Sequence, residues 1–231
     1  MEQGLSSPTS THIVNKKIFI KKPLSGAFFM AFRVLSYLRY FFFSRGLQWL
    51  HSPFVFAFAS KILKNQESKT GKKIEAFRLF LGDFQRSIKR KDLGAGSTKG
   101  IQTWSKIADL ARVASRRRKA GELLYRIVKQ YQPKTILEFG THLGISGLYL
   151  QSGNPSAEFI TMEGDPALAA LAKKHFKAFG YKPEIITGDF SESLRLLLID
   201  PTFWPDLVFV DGNHRKKPTL NYFNLLLQKT S

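Results

Sequence analysis

Four acidic residues recur at equivalent points of a repeating pattern in the back of the chain: Glu138, Glu163, Asp189 and Asp211. Each closes a short apolar run beside a glycine, as in Glu138-Phe139-Gly140, Glu163-Gly164, Gly188-Asp189 and Asp211-Gly212. Acids at the carboxyl ends of parallel strands share one edge of the sheet, the crevice where open α/β sheets take their ligands. Glu138 lies within its strand end, a poor position for holding a pyrophosphate and a good one for a cationic amine. Glu163, 25 residues further on, is placed to accept both hydroxyls of a ribose. Asp189, followed by Phe190, is placed to reach an adenine amino group. Gly140 allows the backbone to pass close to a ligand, and Gly144 opens the next helix with its free N–H groups facing the crevice. Thr141 and His142 complete the turn, although His142 also reads as turn filler. The spacing is E-x-G-x-x-x-G rather than G-x-G-x-x-G, which disfavours a nicotinamide dinucleotide. The plain alternative is that these acids and glycines are only turn and helix-capping residues.

The elements that position these residues follow from the apolar pattern. From Pro133 onward, short strands alternate with helices: Thr135–Phe139, Glu158–Met162, Glu184–Thr187 and Leu207–Val210 as strands. Between and after them Gly144–Gln151, Ala167–Phe179, Glu192–Leu198 and Thr219–Gln228 read as helices. That rhythm predicts an α/β domain over 131–231 with a parallel sheet covered on both faces and right-handed crossovers.

The front of the chain has another character. Residues 1–24 read as an unstructured basic tail, and 25–130 as a basic, aromatic-rich helical cap. Ala27–Phe43 has no internal Pro or Gly and carries only Arg33 and Arg39 as charges, so it predicts a helix needing burial on several sides, in a helical layer, a dimer interface or a membrane surface. Phe54–Leu63 reads as a second short helix, and 64–74 as a polar linker. Glu75–Lys89 reads as a helix with Phe77, Leu81, Phe84 and Ile88 on one face. Asp92–Gly100 is a glycine-rich loop, suited to a lid. Trp104, Ile107, Leu110 and Val113 recur at helical spacing, and Gly121–Tyr131 is another helix.

Composition bounds the rest. The chain has 231 residues, no cysteine and a formal net charge of +19. No disulfide, thiolate metal site or cysteine nucleophile is available. Residues 131–231 carry 10 basic and 10 acidic side chains, so the whole excess lies before residue 131. A basic front attracts nucleic acid, anionic lipid or an anionic substrate, or serves solubility alone. No signal peptide or spanning segment is evident, making a cytoplasmic location the expectation.

Glu138–Ser146 (EFGTHLGIS) resembles the first motif of class I S-adenosylmethionine-dependent methyltransferases, in particular the catechol and caffeoyl-CoA type O-methyltransferases. The resemblance covers Lys134 to about Gln228, and His51–Phe54 resembles a segment preceding the domain in uncharacterised bacterial members. It implies a Rossmann-like sheet of strand order 3-2-1-4-5-7-6, of which four strands are legible here. The rest would lie beside strand four, so the sequence reads as C-terminally incomplete, with Leu207–Val210 at an open edge; cover by the N-terminal half or a partner are the alternatives. The resemblance further implies that Glu138, Gly140, Thr141, His142 and Gly144 form the methionine and ribose turn. Glu163 would take the ribose hydroxyls, and Asp189 with Phe190 would border the adenine. Asp211 matches an acid that is a divalent-metal ligand in the metal-dependent enzymes, which implies Mg²⁺. Those enzymes use a lysine as base shortly after this acid; here His214 or Lys216 would serve. O-methyl transfer to a small-molecule acceptor is expected, with an RNA or other nucleic-acid methyltransferase as the rival reading and a homodimer as a further partner. A non-catalytic binding module is the reading from another class.

Overall fold

The computed structural model describes residues 26–43, 51–63, 67–91, 102–114 and 118–228. Contacts divide the chain into two units, Met1–Leu50 and His51–Ser231. The described part of the first is one helix, α1 (Gly26–Phe43). The expected tail over 1–24 and the loop Asp92–Gly100 lie outside the described residues.

The second unit begins with α2 (Pro53–Ala57), which runs into a π-helical turn, Phe58–Ile62. Ser52 caps α2 by accepting the Val55 N–H at 3.4 Å, and Pro53 occupies the first turn, where its missing N–H costs nothing. Next comes α3 (Lys69–Gly82). The polar linker expected over 64–74 is therefore helical from Lys69 on, with Ser68 as cap for Gly71 N at 2.8 Å. The physical reason is tertiary. Glu122 accepts the Ser68 N–H at 3.1 Å, and Ile74 is fully buried.

The helix expected to reach Lys89 stops at Gly82. Ser87–Lys91 is instead strand β1, paired antiparallel with β2 (Gln102–Lys106), so the cap holds a hairpin. Ile88 faces Ser105 and Lys89 faces Trp104 in its register. Trp104 is thus a strand residue, largely exposed, and the following helix α4 (Ile107–Ala114) buries Ile107, Ala108, Leu110 and Ala111 while Val113 stays exposed. Then α5 (Arg118–Tyr131) leads to the sheet, longer at its start than the expected Gly121–Tyr131.

The sheet contains β3 (Thr135–Phe139), β4 (Glu158–Glu163), β5 (Glu184–Thr187) and β6 (Leu207–Val210). All neighbours are parallel, in the order β5-β4-β3-β6. This matches the expected α/β class, and the spatial order equals 3-2-1-4 when the four strands are counted alone. Connecting them are α6 (Ile145–Gly153), α7 (Pro166–Ala178), α8 (Phe190–Ile199) and α9 (Lys216–Gln228). One face of the sheet buries Ile136 and Phe159 with Val128, Leu148 and Phe176 from α5, α6 and α7. The other buries Leu137, Phe139, Ile160 and Met162 with Leu194 of α8 and Tyr222 of α9. Alternation along β3 and β4 thus divides one strand between two cores, as a sheet covered on both faces requires. By contrast β6 has a described neighbour on one side only, and none of its residues is fully buried.

Candidate functional site

A cavity of about 660 Å³ opens over the carboxyl ends of the strands. Its wall includes Gly140, Thr141, His142, Glu163, Asp189, Phe190, Asp211 and His214, so eight of the residues singled out from the sequence meet there. Glu138, Gly144 and Lys216 are not on the wall.

The turn after β3 is shaped by backbone requirements. Gly140 has φ +99°, and a Cβ there would lie 2.8 Å from the Asp211 carbonyl oxygen. Only glycine lets the ends of β3 and β6 touch backbone to backbone. His142 adopts φ +50° and Asn213 φ +48°, left-handed positions on the two sides of this contact. They turn the chain out of each strand. The Gly144 N–H closes the first turn onto the Thr141 carbonyl at 2.7 Å, and α6 begins beyond it.

Glu138, read from the sequence as well placed for a cationic amine, lies beneath the cavity wall. It is fully buried and accepts hydrogen bonds from Ser146 Oγ at 2.6 Å and Thr161 Oγ1 at 2.7 Å. Thr141 Oγ1 lies 2.7 Å from Thr161 Oγ1 and extends the chain of hydroxyls. Burial raises its pKa to about 7, against the lowering pull of the two hydroxyl donors. Ser146, which does line the cavity, carries the influence of Glu138 to its surface.

Glu163 is held more rigidly. Its two oxygens accept the His142 N–H at 2.7 Å and the Asp165 N–H at 2.9 Å, so the carboxylate ties β4 to the β3 turn. Burial pushes its pKa up, and these two N–H groups pull it back. Asp165 in turn caps α7 through Ala167 N at 2.8 Å and pairs with Arg90 of β1 at 3.3 Å. The sequence reading missed Asp165 and Arg90, both on the wall. Asp-Pro at a helix start was the available signal for the first; nothing local pointed to the second.

Asp189 caps α8, its Oδ1 accepting the Ser191 and Glu192 N–H groups at 2.8 and 3.2 Å. The capping alternative raised for it is therefore real, and it accompanies a place on the cavity wall. Phe190 stands edge-on to Phe139 at 5.9 Å between ring centres.

Asp211 follows β6, and His214 Nε2 lies 3.9 Å from its Oδ1. Arg215 N bonds back to the Asn213 carbonyl at 2.6 Å, and this tight turn starts α9 at Lys216, leaving that lysine exposed and away from the wall. Between the two candidate bases, the cavity takes His214. Among the described residues no group of three His, Asp or Glu side chains could hold a metal ion. Asp211 with one imidazole is a poor donor set for Mg²⁺, which asks for several oxygen ligands. Among the described residues, Asp211 and His214 by themselves do not fit the expected divalent ion.

The far wall comes from α3, α5 and α6. Arg78 of α3, which is buried, and Arg118 of α5 stand there with Tyr149 of α6. Arg78 is held by Glu75 at 2.6 Å, and that contact keeps the Glu75 carboxyl below its usual range. Arg118 pairs with Glu67. Of the basic run Arg116-Arg117-Arg118-Lys119 in the sequence, Arg118 and Lys119 are among the described residues.

Fold and site together define a Rossmann-like α/β crevice at the carboxyl ends of a parallel sheet. Residues 137–231 match the family described as "Methyltransferase domain". A catechol O-methyltransferase from Niastella koreensis is 32% identical over 111 residues, covering 47% of this chain and 49% of that protein. A transmembrane O-methyltransferase from Propithecus coquereli is 35% identical over 81 residues, covering 33% and 30%. Among solved structures, an O-methyltransferase from Bacillus cereus in complex with SAH aligns with a TM-score of 0.47 and 18% identity, covering 74% of this chain and 66% of that one. The resemblance read from Glu138–Ser146 is borne out by the family match and the curated relatives. The chain spans about half or less of the length of the curated relatives it matches.

Proposed function

We propose that the cavity binds S-adenosylmethionine and that the protein is an O-methyltransferase acting on a small-molecule acceptor. The observation that supports this most is Glu163, a buried strand-end carboxylate fixed by two backbone N–H groups at the wall of the cavity. Each of its oxygens keeps acceptor capacity beyond the N–H it already takes, and a pair of ribose hydroxyls uses that capacity. Asp189 and Phe190 border the adenine, and the turn Gly140–His142 lies against the ribose and methionine. When bound, the donor supplies an activated methyl group on a sulfonium, so the protein's main tasks are alignment and exclusion of water. Arg78, Arg118 and Tyr149 close the side away from the sheet. His214 takes the proton from the acceptor hydroxyl, with Asp211 steadying the resulting charge.

Calorimetry with S-adenosylhomocysteine tests the donor site. Wild type is expected to bind saturably, and Glu163→Ala to lose about 1–3 kcal/mol of binding free energy. No binding by wild type would overturn the reading. Radiolabelled donor then separates acceptor classes: label is expected on hydroxylated aromatic small molecules and not on total RNA. Transfer to RNA instead would reverse the choice of acceptor.

A further inference from the structure

Helix α1 presents an unusual surface. From Met30 to Phe43 every residue is exposed, and Met30, Phe42 and Phe43 are 71%, 74% and 79% accessible. At 100° per residue, Arg33, Ser36, Tyr37, Arg39 and Tyr40 all fall within an arc of about 160°. The opposite arc of roughly 140° holds Met30, Ala31, Val34, Leu35, Leu38, Phe41 and Phe42, with no polar side chain in it. Phe32 and Phe43 fall on the polar side beside Arg39.

A helix with one wholly apolar arc and two cations on the other has the pattern of a segment lying in a membrane surface. Tyr37 and Tyr40 flank Arg33 on that polar side, and rings with a hydroxyl tip favour the headgroup level. No helix among the described residues is long and apolar enough to cross a membrane. With Arg33 and Arg39 within it, α1 suits the plane of the surface rather than its normal. Charge selects the kind of surface. Residues 1–50 carry seven Lys and Arg against the single acid Glu2. An anionic bilayer matches both features at once, whereas a neutral surface or a second copy of this cationic segment leaves the charge unmatched or repelled.

We propose that α1 docks in the surface of an anionic lipid bilayer, with its Leu35–Leu38–Phe42 side in the acyl boundary and Arg33 and Arg39 among the phosphates. The site lies outside the unit His51–Ser231 that carries the cavity, so the inference stands independently of the methyltransferase reading.

The full chain is centrifuged with vesicles of phosphatidylcholine and phosphatidylserine at roughly three to one, and with phosphatidylcholine alone. It is expected to sediment with the mixed vesicles and only weakly with the neutral ones. Leu38→Glu with Phe41→Glu should weaken sedimentation about tenfold or more. Arg33→Gln with Arg39→Gln should weaken it by about fivefold per arginine and remove much of its salt dependence. A thermal transition unchanged from wild type in each variant shows that the fold of the second unit is intact. Failure to sediment with either vesicle overturns the proposal. So does sedimentation untouched by the Leu38 and Phe41 changes, which would mean charge alone. Concentration-dependent self-association abolished by those changes, without vesicle binding, would give the surface to a second copy. RNA binding that depends on α1 without vesicle binding would give it to nucleic acid.

Discussion

Glu138 shows how burial changes what a sequence position means. Its ordinary pKa of 4.5 is raised to about 7 by desolvation. Between these values the unfolded chain has lost the proton and the folded chain keeps it, so folding stability falls as pH rises through that window. Above about pH 7 both states are ionised and the dependence ends. Glu138→Gln keeps the shape and stays neutral. Thermal unfolding is therefore expected to show a variant whose stability falls less than that of wild type between pH 5 and 7. Relative to wild type it gains at pH 8 compared with pH 5, by up to about 3 kcal/mol. Glu163 has its pKa raised too, yet its two N–H donors make it a tie between strands, and the Gln change there would set an amide against a donor. The sequence marked both acids alike. What separates them is the number and kind of donors around each, which only the fold brings within reach.

At the scale of elements, Asp189 performs two duties that one substitution can split. Asparagine caps a helix about as well as aspartate, while alanine does not. Asp189→Asn is expected to leave the thermal transition unchanged and to weaken S-adenosylhomocysteine binding; Asp189→Ala should add about 1 kcal/mol of lost stability. Equal affinity of the Asn variant and wild type would reduce the residue to a cap. Strands β3 to β6 were legible almost to the residue, because continuous apolar runs between glycines and prolines have few other readings. The hairpin was not. Phe77, Leu81, Phe84 and Ile88 keep a helical interval straight across the helix end at Gly82, and the strands SIKRK and QTWSK carry little apolar signal of their own. Likewise the start of α3 looks polar because its partner, Glu122, sits 54 residues away. The candidate site was legible where it rested on strand ends, and illegible where Arg90, Arg78 and Tyr149 arrive from packing.

For the molecule as a whole, the sheet is unevenly protected. β3 lies between two strands and buries four of its five residues, whereas β6 pairs on one side and leaves Val210 38% exposed. Hydrogen exchange followed by mass spectrometry is expected to find peptides over Thr135–Phe139 the slowest, and those over Leu207–Val210 faster by about tenfold or more. Equal protection would mean that β6 gains a second neighbour in solution. The contacts joining the cap to this sheet are long in sequence. Tyr149 donates to the Gly71 carbonyl across 78 residues, and Arg90 reaches Asp165 across 75. A ribosome adds about 5–20 residues per second. The cap therefore leaves it roughly 4–16 seconds before the partners it packs against exist. During that wait Ile74 lacks most of its cluster, and Leu81, Ile107 and Leu110 pack on one another without the cover of Leu143 and Leu168. The first half of the newborn chain is thus expected to stay incompletely covered until the second half is made.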